Sequence, residues 1–275
     1  MCAKDWIKPV AALGRYPAIG GYGPWYKPTA RDLYDVDFLN IASTAAQRVV
    51  QAVRGSSPGR ANKLPIWMGE GSPDWRIEDT SHEHELAHNL TFELFSTDMA
   101  ASLARRGVGL YARQTLTSAI GTGWSGGEQV ATVTPAFWSA LLWKRVMAEE
   151  VFAVTTASTD LRAYAHAARG GAGSVAVLLI NRGAQALTAA ITLGHVAEQG
   201  SGPSGCSAQE EYHVTAGPHV NIDGSSLPGI LVNGKQPAFA PGAREPPPAF
   251  EPRRAPCGSE VTVAPRSWAF VVRSR

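Results

Sequence analysis

One stretch of sequence indicates the fold class more clearly than any other, namely Leu64-Pro65-Ile66-Trp67-Met68-Gly69-Glu70-Gly71-Ser72. A short apolar run ends on a carboxylate with glycine on both sides. That pattern is typical of a buried strand that delivers one acid to the end of a sheet. In parallel α/β barrels, the loops at the carboxyl ends of the strands form the open face of the active site. Glu70 is therefore the first candidate catalytic residue.

The residues around this strand predict alternating helices and strands. Apolar side chains recur at helical spacing over residues 35–54, 81–106 and 135–147, and a second short strand is expected over residues 108–116. Gly107 is expected to end the second helix, and a loop is expected before the third. The alternation is typical of a parallel βα architecture. Because only two strands are clear, it matches the last strands of an eight-stranded barrel better than a whole one.

The pattern changes near residue 150. Short β-rich runs, separated by Gly, Pro or Asn, follow at residues 161–166, 174–181, 186–193, 211–215, 229–233 and 260–273. Such runs are typical of an antiparallel β-sandwich. Residues 240–256 are rich in proline and arginine and predict a solvent loop. We therefore expect an irregular segment at 1–34, the C-terminal part of a (β/α)₈ barrel at 35–149 and a β-sandwich at 150–275.

Composition excludes several classes of protein. The 275 residues are 44% hydrophobic and 17% charged, which is typical of a globular chain with a sizeable core. A net charge of +2 argues against nucleic acid or an anionic membrane as a partner. No apolar run reaches the length of a membrane span, and we expect no signal peptide at Met1. Of the three cysteines, Cys206 and Cys257 could pair, which would leave Cys2 over.

Two short motifs suggest other enzyme classes. His84-Glu85-Leu86-Ala87-His88 fits the H-E-x-x-H pattern, in which two histidines one helical turn apart bind zinc. A catalytic zinc needs a third protein ligand, and Thr91 and Leu94 stand where the extended motif has glycine and histidine. The polar surface of a helix is the favoured interpretation. A zinc-dependent hydrolase that uses His84 and His88 is the weaker alternative.

The second motif is Gly123-Trp124-Ser125-Gly126-Gly127, which fits the G-x-S-x-G nucleophile elbow. That elbow needs a strand before the serine and a helix directly after it. Here a stretch rich in glycine and threonine precedes the motif, and no helix is expected until Pro135. A flexible loop is the favoured interpretation.

Glu70 fits a third kind of chemistry. Glycosidases use two carboxyl groups, one of which is a nucleophile in retaining enzymes. Tryptophan near such a site can stack on the apolar face of a sugar, and Trp75 follows Glu70 closely. Arg113 and Gln114 end the next strand, so a barrel would place them beside Glu70 on the catalytic face.

An ordered set of motifs resembles a known family. The set is Asp37-Phe38-Leu39-Asn40, then residues 65–72, Arg113-Gln114, residues 137–144, Gly217-Pro218-His219 with Val232-Asn233-Gly234, and residues 265–272. Over roughly residues 35–275 the chain resembles the C-terminal half of heparanase and its plant relatives, the β-glucuronidases of glycoside hydrolase family seventy-nine. The resemblance implies a barrel with an appended β-sandwich and a glycan substrate that contains uronic acid. It implies no cofactor.

The resemblance also implies roles for single residues. Glu70 would be the nucleophile of a retaining mechanism, and Gln114 would face the substrate. Trp75 resembles the aromatic residue that follows the nucleophile in the family. Arg76 stands where the family often has glycines, and it could pair with a uronate carboxylate. Arg113 and Trp124 complete the predicted set of substrate-binding residues.

The family's second carboxylate is not found. The acid/base glutamate of the family lies in an Asn-Glu-Pro context, and no Asn-Glu pair occurs in this sequence. We therefore expect this chain alone to be inactive or nearly so, and a separate N-terminal half is conceivable as a partner. The alternative within the family is a non-catalytic, sugar-binding remnant. The resemblance implies a secreted, lysosomal, vacuolar or membrane-associated protein.

Overall fold

The computed structural model describes residues 35–56, 66–71, 90–113, 120–125, 128–171, 173–194, 206–218, 220–222, 225–227, 229–237 and 250–274. The chain divides into two compact units. The first runs to residue 87 and continues over residues 95–118. The second comprises residues 88–94 and 119–275. The domain boundaries expected at residues 35 and 150 stay predictions.

Helix and strand alternate from the start of the described chain, as the sequence predicted. Helix α1 (Val36–Ser56), strand β1 (Ile66–Gly71), helix α2 (Leu90–Arg105) and strand β2 (Val108–Arg113) follow in that order. Asp35 caps α1, because its Oδ1 accepts a hydrogen bond from the Asp37 N–H at 2.8 Å. Gly107 ends α2 with a φ of 88°, a conformation that glycine adopts without strain.

The pairing of β1 with β2 is parallel, as expected of a βα unit. Ile66 pairs with Val108, Met68 with Tyr111, and Gly71 with Arg113. Parallel neighbours need a long crossover connection, and α2 lies within the segment that joins these two strands. The carboxyl ends of β1 and β2 therefore lie side by side.

The prediction of a loop before the third helix is wrong. Strands β3 (Ile120–Ser125) and β4 (Glu128–Val133) form an antiparallel hairpin, with Trp124 opposite Gln129. Glycine and threonine make β3 resemble a loop in sequence, whereas its ladder of backbone hydrogen bonds decides the structure. Helix α3 (Pro135–Val146) begins directly after the hairpin with proline in its first turn, as the sequence predicted.

A seven-stranded antiparallel sheet dominates the second unit. Its order is β12 (Ile230–Val232), β9 (Ala208–Ala216), β15 (Ser267–Ser274), β7 (Val175–Asn181), β6 (Leu161–Ala168) and β5 (Met147–Phe152), with β13 (Arg253–Ala255) also paired to β9. Both β12 and β13 lie on the edge of β9 that faces away from β15. The strands predicted near residues 161, 174, 211 and 229 are confirmed.

One face of this sheet packs against a second, smaller sheet. Strands β8 (Leu187–Ala189) and β14 (Val261–Val263) pair with each other. Val261 and Val263 join a buried cluster with the inward side chains of β6, β7 and β15, such as Leu179 and Val271. Successive side chains of a strand point to opposite faces, so this core uses every second residue of each strand.

The opposite face of the sheet is covered in part by α3. Trp143 meets Phe270 and His166 edge to face, with ring centroids 6.3 Å and 5.4 Å apart. Trp268 and Phe270 are fully buried on this face, and so are Leu178 and Ile180. Side chains of this size contribute most of the apolar area that a core removes from water.

Besides β3 and β4, four further strands of the second unit were not predicted. Strand β5 is rich in residues that favour helices, and its pairing with β6 overrides that preference. Strand β13 lies within the expected solvent loop at 240–256, where pairing with β9 makes residues 253–255 extended. Strands β10 (Val220–Ile222) and β11 (Ser225–Leu227) form a short antiparallel hairpin between β9 and β12.

Cys206 and Cys257 form a disulfide across 51 residues of sequence. The bond joins the segment before β9 to the turn after β13. A loop of this length restricts the unfolded chain enough to stabilise the fold by about 4 kcal/mol on the chain-entropy account.

A buried asparagine ties β7 to the turn after β14. The Asn181 amide donates hydrogen bonds to the carbonyls of Gln185, Val263 and Ala264 at 2.8–3.0 Å, and its Oδ1 accepts the Gly183 N–H at 2.9 Å. Asn181 is fully buried. We therefore expect Asn181→Ala to lower the free energy of unfolding by about 1–3 kcal/mol, because the buried carbonyls lose their donors.

Chemical denaturation measures this loss. Asn181→Asp should cost more than Asn181→Ala, because it turns a carboxylate toward the same carbonyl oxygens. Thr188→Ala is the matched control, since the Thr188–Thr262 hydrogen bond is exposed and contributes under ~1 kcal/mol. Equal losses for Asn181→Ala and Thr188→Ala would contradict the structural role of Asn181.

His166 gives the second unit a dependence on pH. Its Nδ1 donates to the Ala148 carbonyl at 2.8 Å, and its Nε2 has no hydrogen-bond partner among the described residues. Burial lowers the pKa of His166 from the usual 6.5, and the bond to Ala148 opposes that shift only in part. The folded state therefore favours the neutral ring.

We expect stability to fall as the pH drops below the pKa of histidine in the unfolded chain, about 6.5. In that range the unfolded chain binds a proton that the folded chain excludes, so acid favours unfolding. Thermal unfolding between about pH 7.5 and about pH 5.5 measures the effect. His166→Asn keeps an amide donor for Ala148 and does not titrate, so its curve should be flatter. Parallel curves for both proteins would rule out His166 as the source.

Candidate active site at the ends of two parallel strands

Glu70 occupies the penultimate position of β1. The next residue, Gly71, pairs with Arg113, the last residue of β2. The parallel register thus brings the backbone of Glu70 and the backbone of Arg113 to the same end of the two-stranded sheet. This is the arrangement that the sequence predicted for these two residues. The carboxyl ends of parallel strands are where open α/β sheets and barrels place their ligands.

Several predicted site residues lie outside the described part of the chain. These are Trp75, Arg76 and Gln114, and also His84 and His88 of the H-E-x-x-H motif. Their roles stay predictions. Within the described residues, no group of three or more His, Cys, Asp or Glu side chains is arranged to hold a metal ion.

Trp124 lies in the second unit, one residue before the end of β3. The nearby Ser125 pairs with Glu128 of β4, so a strand follows the serine where a nucleophile elbow requires a helix. The interpretation of this motif as a nucleophile elbow is therefore wrong. The prediction of a flexible loop, which was favoured over it, is wrong as well. Trp124 as a substrate-binding residue stays a prediction.

Sequence reasoning missed a polar chain inside the second unit. Arg273 donates to Gln209 at 3.0 Å, Gln209 donates to Glu211 at 2.7 Å, and Glu211 lies 2.8 Å from His213 Nε2. The Glu211 side chain is 3% exposed, and the His213 side chain is 16% exposed. One signal could have found it: residues 209, 211 and 213 alternate along β9, so they share one face. The hydrogen bonds between these side chains compensate for their burial. We therefore interpret this set of polar side chains as structural.

No helix in the described part of the chain has both the length and the apolar character that crossing a membrane requires.

Burial also shifts the pKa of a tyrosine near α3. Burial raises the pKa of Tyr212, and the charge of Glu210 raises it further. Neither observation adds a group to the candidate site at Glu70.

The fold is similar to those of solved α-L-arabinofuranosidases. An α-L-arabinofuranosidase of family GH51 from Thermotoga petrophila superposes with a TM-score of 0.56 at 17% identity, covering 86% of this chain and 49% of that one. An α-L-arabinofuranosidase from Thermotoga maritima, solved with arabinose, gives a TM-score of 0.53 at 14% identity, covering 89% and 49%. At such identities the likeness concerns the fold alone. The likeness is to the folds of glycoside hydrolases, and the described residues contain mostly antiparallel sheet.

The sequence itself is similar to heparanase-like proteins. Heparanase-like protein 1 of Arabidopsis thaliana is 29% identical over 268 residues, which cover 88% of this chain and 46% of the relative. Heparanase-like protein 2 of the same plant is 27% identical over 278 residues, covering 91% and 48%. The resemblance to heparanase-like proteins that the motifs indicated is thereby confirmed. The chain spans about half the length of these curated relatives, and no protein-family model matches it.

Proposed function

We propose that this chain carries the nucleophile side of a retaining glycoside hydrolase site that acts on uronic-acid-containing glycans. The observation that carries the proposal is the position of Glu70 at the carboxyl end of β1, beside the end of a parallel β2. The similarity to heparanase-like proteins and the fold of the solved relatives support it. In finer terms, we interpret residues 35–149 as the last strands of a (β/α)₈ barrel and residues 150–275 as a β-sandwich.

In the proposed reaction, the Glu70 carboxylate attacks the anomeric carbon of the sugar and forms a covalent ester. A second carboxyl group protonates the leaving oxygen, then activates the water that cleaves the ester. No residue of this sequence is assigned to that second role. We place it in the region of the relatives that this chain does not match. A site without it should react about 10²–10⁴-fold more slowly with substrates whose leaving group needs a proton.

The proposed compartment is the secretory pathway or a place reached through it. The disulfide between Cys206 and Cys257 supports this, because such bonds persist in oxidising environments. A separate chain that supplies the rest of the barrel remains the proposed protein partner. The proposed ligand is the glycan itself, with Trp75, Arg76 and Gln114 near Glu70 in the site.

An activated sugar tests Glu70 independently of the second carboxyl group. A 2-fluoro glucuronide with a dinitrophenyl leaving group departs without protonation, and its fluorine slows breakdown of the ester. We expect this probe to label the intact chain on Glu70, as located by peptide mass spectrometry. The same chain should turn over an ordinary alkyl glucuronide slowly or not detectably, because that leaving group needs the acid.

Variants make this test specific. Glu70→Gln should abolish the label. Glu150→Gln, which removes an exposed carboxylate from β5, should leave it unchanged. Absence of label from the unchanged chain, together with measurable binding of glucuronide oligosaccharides, would favour a sugar-binding protein without catalysis. A label on another carboxylate would overturn the role of Glu70.

A further inference from the structure

Asn233 connects three segments of the second unit through its side chain. Its Oδ1 accepts the His213 N–H at 2.8 Å, and its Nδ2 donates to the carbonyls of Glu211 and Glu251 at 2.8 Å and 2.9 Å. Its backbone N–H also donates to the His213 carbonyl at 2.9 Å. We call the three side-chain hydrogen bonds the Asn233 bridge.

The bridge fills a gap in the sheet. Strand β12 pairs with residues 214–216 of β9, and β13 pairs with residues 209–211. Between them, the backbone groups of Glu211 and His213 bond to the Asn233 amide in place of a strand. The amide is suited to this, because it both donates and accepts hydrogen bonds.

The bridge also holds the segment at residues 250–257, which we call the strap. Phe250 packs against Trp138 and under the Arg145 guanidinium, and Glu251 forms an ion pair with Lys235. Residues 253–255 pair with β9, and Cys257 is bonded to Cys206. The Asn233 bridge thus holds the strap between its apolar end and its covalent end.

The residue after Asn233 makes this amide chemically vulnerable. Of the six asparagines in the chain, only Asn233 precedes glycine. The two residues form a tight turn with φ of 52° and 78°, closed by hydrogen bonds between Val232 and Lys235. Glycine has no side chain to hinder attack by its own backbone nitrogen, and Gly234 is exposed to water.

We propose that Asn233 is a site of self-modification by deamidation, blocked while the Asn233 bridge is intact. The Gly234 nitrogen attacks Cγ of Asn233, its proton leaves with Nδ2 as ammonia, and a succinimide forms. Water then opens either carbonyl of the ring, which gives aspartate or isoaspartate with no change in oxidation state. For Cγ to reach the Gly234 nitrogen, the Asn233 amide must turn away from its hydrogen-bond partners. The reaction therefore proceeds from a state in which this edge of the sheet is locally open.

The product cannot rebuild the bridge. A carboxylate only accepts hydrogen bonds, so the aspartate product would face the carbonyls of Glu211 and Glu251 without a donor. Isoaspartate adds a carbon to the backbone of a turn that fits only two residues. Deamidation therefore makes a transient opening of this sheet edge permanent. The disulfide still attaches the strap to the segment before β9.

Peptide mass spectrometry of the full chain at mildly alkaline pH measures the conversion of Asn233. We expect it to be at least about tenfold slower in the folded, oxidised chain than in the same chain in denaturant. Replacing both Cys206 and Cys257 with Ser should speed it in the folded chain, because the strap opens more often. Equal rates in the folded and unfolded chain would overturn the protective role of the bridge.

Hydrogen exchange of the strap tests the consequence. Asn233→Asp should raise exchange over residues 250–255, whereas Gln236→Glu adds the same charge at an exposed position nearby and should not. Identical exchange in Asn233→Asp and the unchanged chain would overturn the claim that the strap depends on the amide. In the unfolded chain, conversion at Asn233 no faster than at Asn181 or Asn221 would overturn the assignment of the site.

Discussion

The structure of the second unit depends on burying both faces of β15. Trp268, Ala269, Phe270 and Val271 are consecutive, so they point alternately to the two sides, and none of them is exposed. A strand that is apolar on both sides needs a layer on each. The small sheet of β8 and β14 supplies one layer, and α3 supplies part of the other. Arg273, near the end of the strand, is polar, and its guanidinium donates a hydrogen bond to Gln209.

Burial of apolar side chains also explains which elements could be predicted from the sequence. Strands β7 and β15 are short, nearly continuous apolar runs bounded by turn residues, which are typical of buried strands. Strand β1 was identified for a related reason, since an apolar run that stops at Glu70 predicts a buried strand with one polar end. The helices were found because apolar residues recur at their spacing. In each case the sequence of the element itself carries the signal.

Elements whose structure depends on a distant partner could not be found in this way. Strand β5 contains Glu149 and Glu150, both exposed, and becomes a strand by pairing with β6. Strand β13 contains two arginines in a proline-rich segment and owes its extended form to β9. The candidate site has the same limit. Glu70 was visible because it lies near the end of its own strand, whereas the second carboxyl group that the proposed function requires can lie anywhere in sequence, and periodicity carries no information about it.

The disulfide has a consequence for the integrity of the chain when it is cut. Cys206 and Cys257 enclose β9, β10, β11, β12 and β13 in one covalent ring, whereas β15 and β7 lie outside it. A protease that cleaves one peptide bond inside the ring leaves a single molecule, because its two pieces stay joined through sulfur. The nicked edge of the sheet then remains next to β15 and can pair with it again. Cleavage becomes irreversible dissociation only after the disulfide is reduced.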